Sequence, residues 1–180
     1  MNTFIYFAYG SNMLTERLRA RCPSTRARGI AVATGYRLEF FKRGKDKSGK
    51  ATLVKLAQPG QQVFGVLFEI GIGGRPALDK AEGKGSGYDR IDDFTVNMLP
   101  DGTQAQVTTY LASCSAIDDR LKPFDWYHAL LIAGAEQHKL PEEYVVKLRE
   151  YATIPDPHPN RNAPREAKAA IQKAGNFPQT

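Results

Sequence analysis

The feature that most restricts the fold is a change of period about two-thirds of the way along the chain. Up to residue 112 the apolar residues fall in short segments rich in aromatic and β-branched types, cut by glycine and proline turn signals. Such segments read as strands at 3–8, 30–41 (broken at Gly35), 51–56, 62–70, 88–98 and 103–112. The turn Gln58-Pro59-Gly60-Gln61 joins the third to the fourth, and Pro100-Asp101-Gly102 is a hairpin signal between the last two. Two short helices interrupt them. One spans 13–21, with Leu14 and Leu18 four apart and Thr15 as its candidate cap. The other spans 76–82, where Pro76 suits the first turn and Gly83 the end. Beyond residue 125 the spacing is helical, in an apolar stripe of Trp126, Tyr127, Leu130, Leu131, Gly134 and Ala135. A second helix starts at Leu140-Pro141-Glu142-Glu143 and carries Tyr144, Val145, Leu148 and Tyr151. Strands joined by short turns pair antiparallel, so the expected class is α+β: a small mixed, mostly antiparallel β-barrel or curved sheet with flanking helices.

The chain has 180 residues. That suits one domain over residues 1–152 and a Pro-containing C-terminal tail over 153–180, with a small helix at 165–174. A domain of this size buries about 70% of its unfolded surface and needs no disulfide or metal to fold. No apolar run approaches the roughly 20 residues that span a bilayer, and the first residues lack a signal-peptide pattern. A cytoplasmic protein without membrane contact is expected. Cys22 and Cys114 form no framework, and His128, His138 and His158 lack ligand spacing, so neither metal nor organic cofactor is expected. The net charge is +6. Its cations cluster at Arg17, Arg19, Arg21, Arg26 and Arg28, and again at Lys42, Arg43, Lys45, Lys47 and Lys50. Both clusters read as solvated surface. A basic surface alone binds weakly and salt-sensitively, so nucleic acid is not the expected partner. The oligomeric state stays open, a homodimer included.

Two glycine-rich stretches imitate phosphate-binding loops. Residues 44–50 fit the first seven positions of a P-loop, but Ala51 replaces the hydroxyl that would hold magnesium, and a strand follows where a helix is required. Gly71-Ile72-Gly73-Gly74 does not complete G-x-G-x-x-G, because position 76 is Pro.

Phe7-Ala8-Tyr9-Gly10-Ser11-Asn12 is more informative. A strand runs into a glycine turn and then a helix, and Gly10 permits a backbone conformation that a side chain would block. Successive amides in such a turn form a receptor for an oxyanion or carboxylate. The plain alternative is a tight turn in which Ser11 or Asn12 caps the helix. Glu82 is the second feature. It ends a helix, where the dipole disfavours a carboxylate, and a residue that breaks a local rule is a candidate for function. Its plain alternative is an exposed glutamate. Asp79 and Lys80 read as helix surface.

Together, Phe7-Ala8-Tyr9-Gly10-Ser11-Asn12, Leu78-Asp79-x-x-Glu82-Gly83 and Ser86-Gly87-Tyr88 resemble the gamma-glutamylcyclotransferases. The likeness continues through Thr109-Tyr110-Leu111, Tyr127 with Gly134-Ala135, and Leu140-Pro141-x-x-Tyr144-x-x-x-Leu148, over roughly residues 4–150. The resemblance implies a small barrel with helices outside it and a small gamma-glutamyl substrate. It also implies Glu82 as general acid/base, a pocket lined by Tyr9, Gly10, Ser11 and Asn12, and substrate-holding roles for Tyr110 and Tyr127. The reaction would close the gamma-glutamyl group into 5-oxoproline and release the other half. Competing readings are a relative acting on a gamma-glutamyl amine or a biosynthetic acyl intermediate, and a non-catalytic anion- or RNA-binding protein on the same fold.

Overall fold

The computed structural model of the protein describes residues 2–57 and 60–175. Its strands are β1 (Thr3–Ala8), β2 (Arg26–Thr34), β3 (Tyr36–Arg43), β4 (Gly49–Lys55), β5 (Gln62–Gly71), β6 (Tyr88–Met98) and β7 (Gln104–Ala112). Its helices are α1 (Thr15–Arg21), α2 (Arg75–Glu82), α3 (Asp125–Gln137), α4 (Glu142–Arg149) and α5 (Asn162–Gly175). Five strands close a barrel in the order β1-β5-β2-β6-β7. The pairs within that order are antiparallel, and the closing contact of β1 with β7 is parallel, Tyr6 opposite Thr108. Closure leaves no free sheet edge on the barrel. The α+β expectation holds. The turn expected at 58–61 includes Gln58 and Pro59, which lie outside the described residues.

One expectation about connectivity does not hold. The stretch 30–41 is divided between two sheets, because β3 leaves the barrel at Gly35 and has β4 as its strand partner, with one further bridge from Lys42 to Ile117. The reason is competition for edges: β2 is already paired with β5 on one side and β6 on the other. An isolated hairpin is marginal in water, and this one is stabilised by the helices beside it. Phe40 is buried with its ring edge-on to Tyr127, His128 and Tyr151.

The first helix also differs. Residues Ser11–Met13 form a 3-10 turn, and α1 begins only at Thr15. Thr15 is not a cap. Its amide donates to Gln137 Oε1 at 3.0 Å, and its hydroxyl bonds His138 Nε2 at 2.9 Å. The turn is thereby tied to the far end of α3. Helix α3 lies directly on the turn's backbone at Gly134, where a Cβ would come within 2.5 Å of Leu14 N and 2.7 Å of the Met13 carbonyl carbon. Beyond Thr153 the chain crosses back, with Asp156 accepting from Trp126 Nε1 at 2.7 Å. Helix α5 then buries Ala167 against Leu14 and Leu130. Among the described residues no helix is long and apolar enough to cross a membrane.

A methyl group at position 134 has to push α3 away from the 3-10 turn. Gly134→Ala is expected to cost about 1–3 kcal/mol, a fall in Tm of roughly 2–12 °C for a chain of this length. An unchanged Tm would show that helix and turn separate freely.

Candidate active site

Strand β1 delivers the turn. The Thr109 hydroxyl donates to the Phe7 carbonyl at 2.9 Å, and the Tyr9 hydroxyl donates to the Tyr110 carbonyl, so the strand's end is pinned to β7. The chain then bends, and Met13 N–H donates to Gly10 O at 2.9 Å. Gly10 has φ −114°, so it does not need a left-handed conformation, contrary to the expectation from sequence. Space is tight there: a Cβ would stand 3.1 Å from Ala51 Cβ, so that methyl would have to give by a few tenths of an ångström, while the 3.6 Å to the Tyr127 hydroxyl is an ordinary contact. The amides of Ser11 and Asn12 come before any acceptor within the turn, and no side chain caps them. Neither Ser11 nor Asn12 is the helix cap of the plain reading. The Ser11 hydroxyl accepts from Arg17 Nε at 3.2 Å, and Asn12 reaches across to the next element.

That element is α2. It stops because Gly83 takes φ 67°, and Glu82 is its last residue. The carboxylate, 13% exposed, is held from outside its own helix. Glu82 Oε1 accepts from Asn12 Nδ2 at 2.7 Å and from Arg21 Nη1 at 3.1 Å. Arg21 also donates to Asn12 Oδ1 at 2.8 Å, and Asn12 Nδ2 lies 3.1 Å from the Tyr6 hydroxyl. Turn, α1 and α2 therefore meet at one carboxylate. Among the described residues nothing bonds its second oxygen, Oε2.

Behind Glu82 is a small cleft walled by Tyr6, Tyr9, Tyr88, Tyr110 and Tyr127. Burial raises the phenol pKa of all five. The Glu82 charge adds to this, and at Tyr110 so does the Asp79 carboxylate. Near neutral pH these tyrosines are neutral hydrogen-bond donors. In front, the cleft opens into a hollow of about 450 Å³ that shares Ser11, Glu82, Tyr88 and Tyr127 with it. Such a volume lies within the range of small-molecule sites.

The site residues expected from sequence are all gathered at this cleft, with differing freedom. The Tyr9 hydroxyl is committed to β7. The Tyr110 hydroxyl donates to Asp79 Oδ1 at 2.7 Å, and Arg90 Nη1 meets Asp79 Oδ2 at 2.7 Å. Asp79 is thus not the plain surface residue expected. It fastens α2 to the barrel. The Tyr127 hydroxyl accepts from Ala51 N–H at 3.1 Å, which leaves its own proton for the cleft. Sequence reasoning missed Arg21, Tyr6 and Tyr88. It also placed both basic clusters in solvent, whereas Arg17, Arg21, Lys42, Lys45 and Lys50 line the hollow. Their clustering was the available signal. The stretch that imitates a P-loop runs into β4, as expected, and supplies part of that lining.

The model of the AIG2-like family matches residues 62–148. A gamma-glutamylcyclotransferase of Mus musculus is 32% identical over 152 residues, which are 82% of this chain and 78% of that protein. The Homo sapiens gamma-glutamylcyclotransferase shows the same identity and coverage. A solved gamma-glutamyl cyclotransferase superposes with a TM-score of 0.82 at 29% identity, covering 96% of this chain and 99% of the other.

Burial opposes ionisation of Asp79. The Tyr110 and Arg90 hydrogen bonds and the neighbouring cations outweigh it and hold the carboxyl below its usual range. A lowered folded pKa contributes stability that is full above the unfolded value and lost as pH falls through the folded one. Tyr110→Phe is therefore expected to cost about 1.5 kcal/mol at pH 7, and less below about pH 4, in denaturant titrations at both. An equal penalty at both would refute the coupling.

Proposed function

The chain belongs to the gamma-glutamylcyclotransferase family, and on that premise we propose that its cleft cyclises a small gamma-glutamyl amide to 5-oxoproline, with Glu82 as the general acid/base. The substrate carries its own nucleophile, an α-amine that can fold back onto the γ-carbonyl carbon. Attack is intramolecular, so the protein's first task is to hold the folded conformer. Of the residues expected to do this, Ser11 and Tyr127 border the hollow, whereas the space among Tyr9, Gly10 and Tyr110 is only about 30 Å³, room for a water.

The single observation that carries the reading is the half-engaged carboxylate. Oε1 of Glu82 is held by Asn12 and Arg21, so the side chain has one orientation, and Oε2 is left to move a proton. In the proposed sequence the substrate ammonium gives a proton to Oε2, and the freed amine forms a C–N bond to the γ-carbon. The carbonyl π pair moves to oxygen, and the resulting oxyanion is stabilised by the amides of Ser11 and Asn12. Glu82 hands that proton to the amide nitrogen, the pair returns and the original amide C–N bond breaks; the ring nitrogen then gives its second proton to Glu82 Oε2, which passes it to the released amine as an ammonium. Every proton is returned, so the step needs no co-reactant.

Glu82→Gln keeps the shape and the Arg21 contact but cannot take the proton. The variant is expected to fold with an unchanged circular dichroism spectrum. Its 5-oxoproline release from gamma-glutamyl-alanine is expected to fall by about 10²–10⁴-fold. A loss below about tenfold would remove Glu82 from this role.

A further inference from the structure

The hollow in front of Glu82 has an unbalanced charge. Its lining contains seven cations, and Glu82 is the only carboxylate among its residues. Three of the cations have partners: Arg21 with Glu82, Arg43 with Asp118 and Lys50 with Asp46. The other four, Arg17, Lys42, Lys45 and Lys80, make no ion pair among the described residues. They arrive from three separate elements, α1, the β3–β4 hairpin and α2, and converge on one space.

Two of the four are also partly withdrawn from water. Burial, and then the neighbouring Arg21 charge, lower the Arg17 guanidinium to about 10. Burial lowers Lys42 as well, despite the charges of Glu82 and Asp46, and its ammonium lies 4.8 Å over the Tyr88 ring. Unpaired charges held in this way cost free energy that an anion in the hollow relieves. A simple gamma-glutamyl amide brings one carboxylate on its glutamyl half, too few for four unpaired cations.

The direction of the substrate follows from the walls. Behind Glu82 the small cleft offers only about 30 Å³, so the departing half has room only in the hollow. Resting on the cyclotransferase reading above, we propose that the preferred substrate is a gamma-glutamyl amide whose leaving amine carries about two negative charges. An amino dicarboxylic acid and an amine bearing a phosphate monoester both have this chemistry. The outer cations then determine specificity, and they touch the part of the substrate that leaves.

The test is 5-oxoproline release at low ionic strength from gamma-glutamyl-glutamate, gamma-glutamyl-O-phosphoethanolamine, gamma-glutamyl-alanine and gamma-glutamyl-ethylamide. The expected result is a kcat/KM for one or both dianionic leaving groups that exceeds that for alanine by about tenfold or more. Whichever of the two leads identifies the source of the anion. The advantage should shrink at about 0.5 M salt, where charges are screened over roughly 4 Å. It should also shrink by about fivefold or more in the double variant Lys45→Ala/Lys80→Ala, whose two sites are exposed. Equal or faster release from gamma-glutamyl-alanine would overturn the inference and leave the cyclotransferase reading intact. A dianion advantage unmoved by both salt and the double variant would overturn it too. No 5-oxoproline from any of the four would overturn the cyclotransferase reading, and this inference with it.

Discussion

A carboxylate at the negative end of a helix, mostly removed from water, has to be held by something outside that helix. For Glu82 the support is Asn12 and Arg21, and much of the architecture serves to bring those two there. Asn12 is placed by the end of β1, which is fixed on both sides by barrel closure. Arg21 is placed by α1, whose start is tied to α3 through Thr15. Glu82 itself is placed by α2, which Asp79 fastens to Tyr110 and Arg90 of the barrel. Loss of any one tether would leave the carboxylate with unfavourable dipole and desolvation terms and weaker compensation.

The local parts of this arrangement were legible in the sequence. The end of α2 is set by Gly83, the turn after β1 by Gly10, and the hairpin before β7 by residues 100–102, each a decision taken within a few residues. Partnerships between distant residues were not legible. Arg21 meets Glu82 across 61 positions and Tyr110 meets Asp79 across 31. In each case spacing along the chain says nothing about which charge or hydroxyl will face which. The β3–β4 ribbon was hidden for a related reason. Its separation from the barrel depends on which strands win the two edges of β2, and that is a property of the closed sheet rather than of residues 30–56.

The basic clusters show a third kind of limit. A run such as residues 42–50 has the composition of a solvated loop, and three of its five cations, Arg43, Lys45 and Lys47, are exposed. What the sequence does not encode locally is curvature. The β3–β4 ribbon, α1 and α2 line the same hollow, so cations from two distant clusters and from α2 share one concave space. Concentration of charge there, rather than net charge, is what gives the hollow its chemical character.

The contact at Gly134 bears on the order in which the chain is made. The turn that lines the cleft belongs to the first dozen residues, yet the helix on which its backbone rests comes some 120 residues later. A growing chain therefore has its strand and its glutamate long before it has the surface that fixes the turn between them. The cleft becomes whole only once α3 has emerged from the ribosome, so the partly made polypeptide is held silent by its own topology.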